Sequence, residues 1–260
     1  MNAQLDARLR HLRLSGMAEA LPIRLQQAAG AALPHRDFLE LLVEDEMNRR
    51  SDRLFARRLK QAGISQVKEF SDFDWTFNPK LPRARLCELA TARFVAQHQG
   101  VLLIGPPGIG KSHAVTAIAV GAIRAGYRVL VKDTFDLAQD FLEASATDGR
   151  RELVDQLIRV DLLALEDLGM RKLGPNAAED LLEVFVRRHE KASTLISTNR
   201  PTEDWGQFLG DVPATTAILD RFLEHAEILR LQGKSYRMHR RSRADQEQNG
   251  QTADAAKASA

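Results

Sequence analysis

The run Gly105-Pro-Pro-Gly-Ile-Gly-Lys-Ser112 stands between a short apolar segment, Val101-Leu-Leu-Ile104, and an alanine-rich stretch of helical character. No other feature constrains the chain as much. Glycines let the backbone fold round an anion with its N–H groups turned inward, and the N-terminus of the following helix adds partial positive charge. Lys111 can then reach β and γ phosphates, and the Ser112 hydroxyl can ligate Mg²⁺. Gly105, Pro106, Pro107, Gly108, Ile109, Gly110, Lys111 and Ser112, with the adjacent His113, are therefore the candidate nucleotide-binding residues.

A strand, a phosphate loop and a helix also commit this part of the chain to a fold class. From Val101 onward, short β-rich runs (VLLI, RVLVK, DLLALE, TLIST, EILRL) alternate with helical periods, which implies a parallel sheet covered on both faces. Up to about Gln99 every pattern is helical instead: Leu5, Leu9 and Leu12 share one face, and Phe38, Leu41 and Leu42 open a second amphipathic stretch. Residues 71–86 carry two prolines and the aromatics Phe73, Trp75 and Phe77, the composition of a linker that packs as it runs. The expected division is a helical domain over 1–75, a linker and packing helix over 76–100, an α/β domain over 101–243, and a disordered tail over 244–260.

A phosphate loop needs acids beside its metal, placed at the end of a neighbouring strand. Asp161-Leu-Leu-Ala-Leu-Glu166-Asp167 supplies them. One carboxylate can hold Mg²⁺, often through water, while the next can orient or deprotonate an attacking water. A further apolar strand ends in Ser197-Thr198-Asn199-Arg200, where the Asn199 amide can hydrogen-bond that water or the γ-phosphate.

Charge and composition exclude other classes. The chain has 260 residues, and 37 Lys+Arg against 35 Asp+Glu leave a net charge of only +2, so distribution must argue for any polyanion. On a helix over 47–62, Arg49, Arg50, Arg53, Arg57 and Lys60 fall on one stripe opposite Met47, Leu54, Phe55 and Ala62, with Asp52 the lone acid. Such a stripe suits the phosphate backbone of duplex DNA and offers no sequence readout. A single cysteine, Cys87, excludes an internal disulfide framework, and the seven histidines form no pair with metal-ligand spacing on a common helix. The opening MNAQLDARLR is charged where a signal peptide needs an apolar core, and the longest apolar run, Ala114 to Ile123, is half a membrane span. The expectation is a soluble, cytoplasmic protein with no membrane partner.

GPPGIGKS, DLLALEDLG, LISTNR, ILDRFLEHAEIL and GKSYR, in this order, resemble an ATPase of the AAA+ type. Together with RLSGMAEAL, FLELLVEDEMNRR and FDWTFNPKLPRARL, they resemble the IstB-like ATP-binding proteins of insertion sequences, relatives of the helicase loader DnaC and the initiator DnaA. The likeness implies an AAA+ P-loop core and an ATPase that assembles on target DNA as a homo-oligomer and recruits or stimulates its cognate transposase. By the same likeness Lys111 and Ser112 belong to Walker A, Glu166 and Asp167 to Walker B, and Asn199 is sensor 1. Arg221 is the arginine finger given to a neighbouring subunit, and Arg237 is a candidate sensor 2. The first Walker B acid is Glu166 where the family pattern has Asp. The alternative reading is a DnaC-like replicative helicase loader.

Overall fold

The computed structural model describes residues 3–170, 172 and 177–239, which form two compact units divided between Lys60 and Gln61. The expected tail lies outside the described residues. The division falls earlier than residue 75 because the intervening segment belongs to the second unit: the Ala62 carbonyl accepts from Val131 N at 2.9 Å, and Phe73 packs edge-on to His113 at 5.0 Å.

The first unit holds α1 (Ala3–His11), α2 (Ser15–Ala31) and α3 (His35–Gln61). Its packing is unusually polar. Buried Glu46 of α3 accepts from the N–H groups of Gly16 (2.6 Å) and Met17 (3.2 Å), satisfying donors that the first turn of α2 cannot pair internally. Gly16 has no room for a side chain, since a Cβ would meet the Asp45 carbonyl oxygen and Glu46 Cα at 2.8 Å. Arg24 forks onto Asp45 through two 2.8 Å hydrogen bonds.

This packing follows the faces expected for α3 only in part. The basic stripe is exposed and Ala62 is buried as expected, but three of the cations have partners: Arg49 pairs with Glu19, Arg50 with Glu46 and the Arg13 carbonyl, and Arg53 with the Ser15 hydroxyl. Met47 and Leu54 of the expected apolar face are exposed, together with Leu39 and Val43 on the same helix. The physical reason is the close approach at Gly16, which brings the Leu42–Glu46–Arg49 side of α3 against α2.

The second unit begins with short packing helices, α4 (Arg83–Leu89) and α5 (Arg93–Ala96), and continues as an α/β layer structure. Its strands are β1 (Gly100–Ile104), β2 (Val129–Asp133), β3 (Leu162–Glu166), β4 (Ser193–Thr198) and β5 (Ala226–Arg230). Between them run α6 (Lys111–Arg124), α7 (Thr134–Thr147), α8 (Arg150–Ile158), α9 (Ala177–Arg188), α10 (Trp205–Leu209) and α11 (Val212–Glu224). All five strands are parallel, in the order β2-β3-β4-β1-β5. Burial on both faces explains why β1 and β3 read as near-continuous apolar runs, and why β4 is buried throughout with small hydroxyl residues flanking Leu195 and Ile196.

The strand order positions the site. β4 lies between β1 and β3, so the end of β4 stands between the loop that follows β1 and the acids that end β3. Ligands of open parallel sheets bind beyond such carboxyl ends. Among the described residues no helix is long and apolar enough to cross a membrane.

Candidate nucleotide site

Gly108 (φ 79°) and Gly110 (φ 106°) take up the left-handed conformation that lets the loop curl before α6. Ile109 is buried and anchors the curl from below. Lys111, the first residue of α6, is 5% exposed, and its ammonium donates to the carbonyls of Gly105 (2.7 Å) and Pro106 (3.1 Å). Burial holds this amine below its ordinary range, with Asp167 opposing the shift and Arg237 adding to it.

The loop borders a cavity of about 400 Å³. Lys111, Ser112, His113, Asp167, Asn199 and Arg237 all line it, so six sequence-predicted residues from four separate segments meet in one place. Glu166 lies beside them, with a carboxylate hydrogen-bonded by Ser112. Burial raises that carboxyl to about 6, the charges of Asp167 and Asp133 adding to the effect while Ser112 and Lys68 oppose it. A hydroxyl and a half-buried carboxylate in contact are hard oxygen donors, the set that Mg²⁺ takes.

The strand ends are held by residues that the sequence did not single out. The Thr134 hydroxyl donates to the carbonyls of Glu166 (3.0 Å) and Asp167 (2.8 Å), and Asp167 N donates to Ser197 Oγ at 3.1 Å. These contacts fix Asp167 at φ 52°, a conformation unusual for a residue with a side chain. The Asn199 side-chain oxygen is buried with no hydrogen-bond partner, an acceptor available to a water or a ligand donor.

His113 takes a different position from its loop neighbours. Its Nε2 faces the Glu69 carbonyl at 2.8 Å, so it ties the loop helix to the segment before β1 while bordering the cavity. That segment also supplies a wall: Phe73 and Phe77 line the cavity, and Phe77 meets Tyr236 edge-on at 5.3 Å. Expected to be linker packing alone, these aromatics also enclose the site. Asn78 exchanges two 2.9 Å hydrogen bonds with the Lys234 backbone and so holds the final segment in place. A helical turn over 236–239 then puts Arg237 at the cavity. The sequence signal for this wall was the aromatic density around Trp75; nothing in it named Asn78.

Arg221 is not at this cavity. It lies in the last turns of α11, its guanidinium donating to the Ala217 carbonyl at 3.2 Å, and it borders a separate cleft with His98, His189 and His225.

The comparisons agree with this geometry. The family model for IstB-like ATP-binding proteins matches residues 7–244. The ATP-binding protein of insertion sequence IS21 from Pseudomonas aeruginosa is 35% identical over 241 residues, covering 93% of this chain and 91% of that protein. Its counterpart in IS5376 of Geobacillus stearothermophilus is 30% identical, covering 92% and 96%. Among solved structures, DnaI superposes with a TM-score of 0.52 at 22% identity over 65% of this chain and 89% of that one. The AMPPCP-bound DnaA from Aquifex aeolicus gives 0.52 at 19% over 63% and 50%. These likenesses give the second unit an AAA+ P-loop fold.

Proposed function

The chain belongs to the IstB-like ATP-binding protein family, and from that premise we propose that it is an ATP-hydrolysing helper of transposition. In this reading it acts in the cytoplasm, assembles on duplex DNA as a homo-oligomer, and recruits or stimulates a partner transposase. The observation that carries the catalytic part is the meeting of Lys111, Ser112, Asp167 and unpartnered Asn199 Oδ1 around one cavity, with Glu166 hydrogen-bonded to Ser112.

Each group then has a task. Lys111 exchanges its loop carbonyls for β and γ phosphate oxygens. Ser112 and Glu166 hold Mg²⁺, directly or through water; when bound, that ion neutralises phosphate charge. Asp167 accepts the proton of the attacking water while Asn199 Oδ1 accepts its other hydrogen. The hydroxyl bonds to the γ-phosphorus, and ADP and phosphate leave. Arg221, away from its own chain's cavity, serves the site of a neighbouring subunit. For DNA, exposed Arg57 and Lys60 are the best placed members of the α3 stripe, because Arg49, Arg50 and Arg53 already have partners.

Mixing tests the reading. Arg221→Ala chains should bind ATP and turn it over up to roughly 10³-fold more slowly. Combined with Lys111→Ala chains in the presence of duplex DNA, they should recover part of the activity, because some interfaces pair an intact loop with an intact finger. No recovery in co-assembled mixtures would remove the shared site. Loading of a replicative helicase in place of transposase stimulation would replace the transposition part with the loader.

A further inference from the structure

α9 and α11 end side by side at the edge of the sheet opposite the nucleotide cavity, just before β4 and β5 begin. A histidine follows each helix directly: His189 after α9 and His225 after α11, whose last residue is Glu224. Sequence spacing hid the pair, because the two imidazoles come from different helices. His189 Nε2 lies 3.5 Å from one Glu224 carboxylate oxygen, and His225 Nε2 lies 3.9 Å from the other. One donor atom from each of the three residues falls within 4.8 Å of the others. Glu190 adds a carboxylate 3.4 Å from His225 Nε2.

Simple ion pairing explains this arrangement poorly. The imidazole rings stack at 5.7 Å and share the Glu224 carboxylate, so charging both rings would set two cations face to face. Neutral imidazoles around one cation avoid that repulsion. Two helix C-termini and two carboxylates favour positive charge here, opposed by the Arg221 guanidinium that borders the same cleft. The scaffold is rigid: Phe185 and Phe222 lock the helices edge to face at 5.7 Å one turn earlier. Buried Arg188 fixes the end of α9 by donating to the carbonyls of Leu157, Ile158, Val160 and Ser193.

We propose that His189, Glu224 and His225, with Glu190 in reach, bind a divalent transition ion of the Zn²⁺ class. Ligand bonds of about 2.0–2.1 Å in a tetrahedron place neighbouring donors about 3.3 Å apart, so closure from the present spacing needs only side-chain movement. Nitrogen donors select against Mg²⁺, which keeps this site chemically separate from the phosphate loop. The bound ion joins the ends of α9 and α11 and steadies the entry into β4 and β5.

The test is a Zn²⁺ titration of the purified full chain, without nucleotide, against a chromophoric chelator. The wild-type chain should bind Zn²⁺ at least about tenfold more tightly than His189→Gln/His225→Gln, with excess Mg²⁺ giving no displacement. Glu224→Gln should also weaken binding, whereas His11→Gln should not. Co²⁺ should give the visible absorption of a low-coordinate nitrogen-bearing site in wild type only. The control for a change of histidine elsewhere is His11→Gln, on α1 of the first unit. If the double variant fails to fold by circular dichroism, Glu224→Gln, changed at an exposed carboxylate, decides. Equal Zn²⁺ affinity in wild type and the folded variants, or no Zn²⁺ bound by wild type, would overturn the proposal.

Discussion

Two carboxylates next to each other in sequence have opposite surroundings. Glu166 is half-buried beside Ser112, whereas Asp167 opens onto the cavity with Lys111 and Asn199. Asp167→Asn should leave ATP bound while slowing hydrolysis, because the amide fills the same space without accepting a proton. Glu166→Gln should mainly weaken the Mg²⁺ dependence of ATP binding; calorimetry with and without Mg²⁺ beside a turnover assay separates the two. The sequence had left this division open. In the helical unit, Glu46 is a single residue with structural weight. Burial alone would raise its carboxyl, but hydrogen bonds from Arg50, Met17 and Gly16 bring it below its ordinary value. A lowered carboxyl stabilises the fold above its unfolded pKa, about 4.3, and loses that contribution as pH falls through the folded value. Glu46→Ala should therefore cost roughly 1–3 kcal/mol near neutral pH, mostly from orphaned N–H groups. Its gap to wild type in urea unfolding should narrow below about pH 4.

Elements differ in how readily the sequence disclosed them. All five strands and the loop after β1 were legible: burial on both faces writes β1 and β3 as continuous apolar runs, β2, β4 and β5 keep shorter β-rich cores, and the phosphate loop needs glycine at positive φ. The faces of α3 were not. Helical periodicity identifies which residues share a side, but which side packs was decided by the missing side chain of Gly16 and the buried Glu46, a polar contact that hydrophobicity does not encode. The consequence for DNA is quantitative. If α3 grips duplex DNA, Arg57→Ala/Lys60→Ala should reduce the slope of log K against log salt by about 2, close to one unit per phosphate contact. Adding substitutions at Arg49, Arg50 and Arg53 should change it little further, because each already has an acidic or hydroxyl partner. A slope that falls by 4 to 5 only in the fivefold variant would mean that those internal pairs open on DNA.

Across the whole molecule, the nucleotide cavity is assembled from segments that sequence motifs reveal unequally. Motifs marked the loop, the acids and Asn199. The segments of the aromatic wall and of the Asn78–Lys234 pair carry motifs too, but their meeting at the cavity was not legible, because it exists only when residues far apart in the chain come together. A chain ending at Gly233 should keep its helix and strand signal in circular dichroism yet bind ATP at least about tenfold more weakly. In the full chain, ATP at a hundred times its dissociation constant should add about 2.7 kcal/mol of stability. That corresponds to a rise in Tm of roughly 5–10 °C, which the shortened chain should not show at the same ATP concentration. The reciprocal bonds of Asn78 also set an order of events during synthesis. They join residues 156 positions apart, so phosphate loop, acids and Asn199 all leave the ribosome before the segment that closes their cavity. A nascent chain can therefore form its sheet while still unable to retain nucleotide, and competence arrives only as the last part of the unit emerges.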